Sequence, residues 1–237
     1  MNASDITPVV SHIIDAQTTK GTPLVVGITG GVAVGKSTFG ASLAQMITEV
    51  KDLQVAVVAS DGFLHANVVL AERGITDRKG FPESYDIEAI THFLDDVSAG
   101  TPTRVPVYDH LTYDIIDDVL VVPPLDVLIF EGVNVLHFHD QLDVGVYLHA
   151  DEPTMRSWFI ERTCALRDAA RLEYSPFFDP WVDVPDDLFL AMVIGAWESV
   201  NLPNLVDHIE PTRGLAQIEI EWEADHTIGA VIFREAP

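Results

Sequence analysis

The sequence predicts an α/β fold in which a mostly parallel sheet is covered by helices on both faces. Short apolar runs that end at glycine or an acid alternate with helical patterns, which is the signature of strands buried on both sides. The 237 residues suffice for one large domain and its core without disulfides, so a single domain over 1–237 is expected. No internal repeat or low-complexity tract divides the chain.

Taken in order, the pattern predicts a strand near 24–29, a helix from 37 to about 50, a strand near 53–59 and a helix around 87–98. Strands near 127–130 and 144–149 follow. Two apolar stretches flanking Asp117-Asp118 predict a hairpin over 113–122 that projects from the sheet. Residues 154–168 have a long helical pattern carrying Arg156, Arg162 and Arg167, a cationic cluster in an acidic chain. The last two runs, 216–222 and 227–233, predict an antiparallel strand pair.

Between the first strand and the first of these helices lies Gly30-Gly31-Val32-Ala33-Val34-Gly35-Lys36-Ser37, followed by Thr38. This is the Walker A pattern of a phosphate-binding loop in its proper context, strand before and helix after, and it predicts the P-loop NTPase fold. Glycines allow successive backbone N–H groups to turn around phosphates, Lys36 reaches the β- and γ-phosphates, and Ser37 offers a hydroxyl to magnesium. The competing reading is a glycine-rich turn that merely packs tightly. The loop implies ATP and Mg as cofactors, but ATPases, GTPases, motors and kinases share it.

Two acids complete the pattern. Asp61, in Ala59-Ser60-Asp61-Gly62-Phe63, lies at the carboxyl end of the second strand, where ligands of open α/β sheets gather. A carboxylate there can accept a hydroxyl proton during phosphoryl transfer; alternatively, Asp-Gly is simply a turn. Glu131, at the end of the run Val127-Leu128-Ile129-Phe130, reads as the magnesium-binding acid of the opposite strand.

Composition narrows the class. The formal charge is −24, which disfavours nucleic-acid and anionic-membrane partners and requires any anionic ligand to be held locally. Lysine occurs only at Lys20, Lys36, Lys51 and Lys79, so a lysine inside the glycine loop stands out. The single cysteine, Cys164, suits a reducing compartment. With no basic leader or spanning stretch at the start, the expectation is a cytoplasmic protein.

Several ordered stretches carry a wider similarity: 30–38, Asp61-Gly62-Phe63-Leu64, Lys79-Gly80-Phe81-Pro82-Glu83-Ser84-Tyr85-Asp86 and Pro106-Val107-Tyr108-Asp109-His110-Leu111-Thr112-Tyr113-Asp114. Phe130-Glu131-Gly132-Val133-Asn134-Val135-Leu136, 201–205 and Pro211-Thr212-Arg213 continue the series. On these residues the chain resembles the bacterial type I pantothenate kinase family, P-loop kinases related to uridine kinase and phosphoribulokinase, from about residue 24 to 233.

The resemblance implies transfer of the ATP γ-phosphate to the primary hydroxyl of pantothenate, the entry to coenzyme A synthesis. It implies Asp61 as base, Lys36 as stabiliser of the transferring group and Arg162 on a lid helix as a further phosphate partner. Tyr108, His110 and Asn204 would line the acceptor site, and a homodimer is implied. Phe159 stands in that site where the family has tyrosine, and Thr163, Leu166 and Arg171 stand where aromatics are expected. Ala41 replaces an arginine associated with coenzyme A inhibition, and the family's N-terminal extension has no counterpart. A sugar, nucleoside or other acid as acceptor is therefore the alternative, with a nucleotide-binding regulator as a third reading.

Overall fold

A computed structural model describes residues 6–21 and 23–234. Its strands are β1 (Leu24–Gly30), β2 (Val55–Ala59), β3 (Thr103–Asp109), β4 (Asp114–Val122), β5 (Val127–Glu131), β6 (Val144–His149), β7 (Ile218–Trp222) and β8 (Ile228–Phe233). The main α-helices are α1 (Thr7–Lys20), α2 (Lys36–Lys51), α3 (Asn67–Glu72), α4 (Ile87–Ser98), α5 (Glu152–Ala170) and α6 (Asp186–Ala196).

Every residue of β1 and of β5 is buried, as a strand covered on both faces requires. β1 pairs in parallel with β5 and β6, and β2 adds to β5 in parallel. β7 is parallel to β6, and β8 closes the sheet antiparallel, giving the order β2-β5-β1-β6-β7-β8. The expected mostly parallel sheet and terminal antiparallel pair are both present, the strands of that pair one or two residues shorter at their starts.

Alternation along the central strands separates two apolar layers. Val26 and Ile28 of β1 and Ile129 of β5 pack with Val9 and Ile13 of α1 and with Phe39, Leu43 and Ile47 of α2. Val25 of β1 and Leu128 and Phe130 of β5 pack with Ile90, Phe93 and Leu94 of α4. The Asp86 carboxylate accepts the Ala89 N–H at 2.9 Å and starts α4 where the sequence predicts. Asp151 caps α5 in the same way through the Thr154 N–H.

The hairpin differs from expectation. Its second strand, β4, runs unbroken from Asp114 to Val122 and pairs with β3, while the turn lies at 110–113. There Asp109 accepts the N–H groups of Leu111 and Thr112, and Tyr113 adopts φ 57°. Asp117 and Asp118 occupy a register shift opposite Pro106 and Val107. Pro106 has no N–H for the ladder, so two exposed acids bulge out where a turn was expected.

Helices α1 and α6 were not expected. α6 continues through two π-helical turns, Trp197–Asn201 and Leu205–Ile209. The whole run, Asp186–Leu215, is long and apolar enough to cross a membrane by length and composition, with 28% of its most apolar window buried. Trp197, Leu205 and Ile209 pack into the layer that holds α1 and α2, so its second half is part of the core.

Candidate active site

The phosphate-binding loop lies between β1 and α2 at the carboxyl edge of the sheet. Gly35 caps α2 with φ 88°, a left-handed conformation that favours glycine. It brings no side chain to the first-turn N–H groups, which remain available to an anion. The Lys36 ammonium donates back to the carbonyls of Gly31 at 2.9 Å and Gly30 at 3.2 Å. Burial pulls the Lys36 pKa below the ordinary lysine value; Glu131 and Asp61 offset this in part, and Arg162 adds to it. Those four side chains therefore share one electrostatic neighbourhood.

Ser37 Oγ donates to Glu131 Oε1 at 2.7 Å. Glu131 is buried at the end of β5 and Ser37 lies in the first turn of α2, so a hydroxyl and a carboxylate present oxygen ligands side by side. Hard oxygen donors of this kind suit Mg2+, and the loop above them suits a triphosphate.

Asp61 sits in the 3-10 turn Ser60–Phe63 that leaves β2. The turn can lie against β3 only because residue 62 is glycine: a Cβ there would overlap the Pro106 carbonyl oxygen. The Asp61 charge adds to the burial that raises the pKa of Tyr108 and Tyr113 of the hairpin. The positive charge of Arg162, on α5, opposes that rise at Tyr113.

Tyr108 and His110 lie ring to ring at 5.1 Å, and Tyr108 and Tyr113 at 5.9 Å. Lys79, which sequence reasoning did not select, stands between the tyrosines, 4.9 Å from each ring centre. It donates to Asn67 Oδ1 at 2.7 Å and to the Tyr113 carbonyl at 2.5 Å. Burial lowers its pKa, with Asp114 and Asp61 opposing. The scarcity of lysine was an available signal, since the chain has four, and that scarcity made Lys36 stand out inside the glycine loop.

Asn204, buried in the short α-helical stretch Leu202–Asn204 between the two π-helical turns, reaches the turn beside Lys79: its Nδ2 donates to the Gly80 carbonyl at 2.9 Å. Phe159 is placed differently. Its ring packs against Trp197 at 5.6 Å and joins the core. The Thr163 hydroxyl donates to the Phe159 carbonyl at 2.7 Å, Leu166 is exposed, and Arg171 pairs with Asp168 and Asp186. Beyond α5 the chain crosses to the hairpin tip. There Ser175 Oγ and the Phe177 N–H both donate to the Leu111 carbonyl, and Phe177 stacks on Tyr113 at 4.2 Å.

Fold and site together define a P-loop kinase of small molecules: a glycine-rich loop between strand and helix, a hydroxyl–carboxylate pair, and an acid at the β2 exit beside a polar, aromatic hairpin. The family model of the Phosphoribulokinase / Uridine kinase family matches residues 25–171, well over half of the chain. A pantothenate kinase of Rhodopseudomonas palustris (strain HaA2) is 40% identical over 228 residues, covering 90% of this chain and 72% of that protein. One of Vibrio cholerae is 38% identical over 241 residues, covering 95% and 77%. The solved structure of a putative fructose transport system kinase from Silicibacter sp. TM1040 superposes with a TM-score of 0.75 at 21% identity. That match covers 94% of this chain and 100% of the other, and shares the fold. The chain belongs to the pantothenate kinase family, within the phosphoribulokinase and uridine kinase group, and is an ATP-dependent kinase.

Proposed function

We propose that this chain phosphorylates the primary hydroxyl of pantothenate with ATP, yielding 4'-phosphopantothenate. The observation that carries the reading is identity of about 40% across 90% of the chain to proteins named pantothenate kinase. The test is formation of a product with the mass of phosphopantothenate from ATP, magnesium and pantothenate by the purified protein.

In this reading Asp61 accepts the proton of the attacking hydroxyl; its place at the exit of β2, where its charge acts on both the P-loop lysine and Tyr108 of the hairpin, supports that role. Lys36 and Arg162 spread positive charge over the transferring group. Ser37 and Glu131 hold Mg2+, which when bound would neutralise charge on the phosphate oxygens. Residues 30–38 cradle the phosphates through backbone N–H groups. Tyr108, Lys79 and His110 offer donors to the rest of the acceptor, with Asn204 behind them.

The same reading takes the chain as a single kinase domain acting on a small molecule, as a cytoplasmic homodimer without nucleic-acid or membrane partners. The charge of −24 supports the last point. A second reading, a different acceptor such as a sugar, nucleoside or hydroxy acid, rests on one feature. The Phe159 ring packs against Trp197 and the Thr163 hydroxyl is bonded within its own helix, so neither offers an acceptor the hydrogen bond that the family's residues would.

A further inference from the structure

The Gly80 carbonyl, one residue beyond Lys79, receives two side-chain donors from two distant parts of the chain. Asn134 Nδ2 approaches at 2.7 Å and Asn204 Nδ2 at 2.9 Å. A carbonyl can only accept, so both amides must present nitrogen to it, and their orientation is not ambiguous. Both asparagines are buried.

Asn134 lies three residues beyond Glu131 on the same exit from β5, and its own carbonyl accepts the His137 N–H at 3.1 Å to start the next turn. One short segment thus carries the carboxylate that meets Ser37 and the amide that holds the lysine turn. Lys79 is otherwise held at its tip, by Asn67 and the Tyr113 carbonyl, both on the hairpin side. Asn134 supplies the tie from the sheet side.

We infer that Asn134 is a positioning residue: through the Gly80 carbonyl it fixes the Lys79 ammonium in register with the phosphate loop. It touches neither the nucleotide nor the acceptor. The inference rests on the kinase reading above and adds a residue to it.

The experiment is a mutant cycle between Asn134 and Lys79, with separate KM values for ATP and acceptor. Asn134→Asp keeps the shape but turns an oxygen toward the carbonyl, and Asn134→Ala removes the group, so two variants guard against one that fails to fold. Each should lower kcat/KM for the acceptor by about 10-fold or more, the scale expected for a small misplacement of a reacting geometry. KM for ATP should stay within about twofold of wild type. In a Lys79→Ala background the Asn134 substitutions should have no further kinetic effect, because their route of action is gone. A fall in melting temperature with unchanged kinetics at a permissive temperature would make Asn134 a purely structural residue and overturn the inference. Equal, additive losses in both backgrounds would overturn it as well. Normal turnover by Lys79→Ala would overturn it too, and phosphopantothenate formation by the wild-type protein separates that failure from failure of the kinase reading.

Discussion

The Ser37 hydroxyl donates to the Glu131 carboxylate at 2.7 Å, tying the first turn of α2 to the end of β5. Two chain segments 94 residues apart thereby place a neutral and a charged oxygen ligand together. Glu131→Gln keeps the size and the hydrogen bond but removes the charge. The magnesium concentration for half-maximal activity should rise by about 10-fold or more, the scale seen when a metal's supporting ligands change. Titration of activity with magnesium at saturating ATP checks this, and an unchanged midpoint would remove Glu131 from the metal site.

Asp61→Asn should leave KM for ATP near wild type and lower kcat by roughly 10²-fold or more, the usual contribution of a positioned base. An amide cannot take the hydroxyl proton. Loss of nucleotide affinity with normal residual turnover would make Asp61 a structural residue of the β2 exit.

Gly62→Ala should destabilise the protein by about 1–3 kcal/mol, the cost of overpacking, because the new Cβ overlaps the Pro106 carbonyl. The strain falls on the turn that carries Asp61, so kcat should drop along with the melting temperature. Wild-type stability by thermal denaturation would show that β3 moves aside freely.

Burial lowers the pKa of both Lys36 and Lys79, and the proposed mechanism uses each as an ammonium. A lowered pKa releases the proton earlier as pH rises, so kcat/KM should decline on the alkaline side at a midpoint below the ordinary lysine value. The free-enzyme parameter is the one to follow, since it reports groups before substrate binds. Lys79→Arg should move that alkaline limb to higher pH if Lys79 sets it. A limb that stays in place assigns the titration to Lys36.

The parts of the site read most directly from the sequence are those with local signatures. Gly30 to Thr38 announces itself because only glycine-rich backbone can turn around phosphate, and Glu131 ends an uninterrupted apolar run. The hairpin was misplaced because Asp117-Asp118 has turn composition, whereas the register is decided by Pro106 on a strand that the pattern did not reveal. Lys79 and Asn134 went unselected for another reason. Their roles depend on contacts with Tyr113, Asn67 and Gly80, residues brought together by the hairpin and the β5 exit, and no spacing along the chain encodes that meeting. Phe159, expected in the acceptor site from the family resemblance, packs its ring against Trp197 of the unforeseen π-helical segment, a contact that no pattern along the chain encodes.

The acceptor is the point on which the account turns, and one comparison decides it. Pantothenate, uridine, glycerate and simple sugars would each be incubated with the purified protein, ATP and magnesium, and the phosphorylated products identified by mass. Because the Phe159 ring packs against Trp197 and the Thr163 hydroxyl is bonded within α5, neither offers the acceptor a hydroxyl, and KM for pantothenate should exceed that of a relative with tyrosine at the first position, measured side by side. The account predicts phosphopantothenate as the dominant product with no other acceptor competing. Efficient phosphorylation of a sugar or nucleoside with no detectable phosphopantothenate would contradict it.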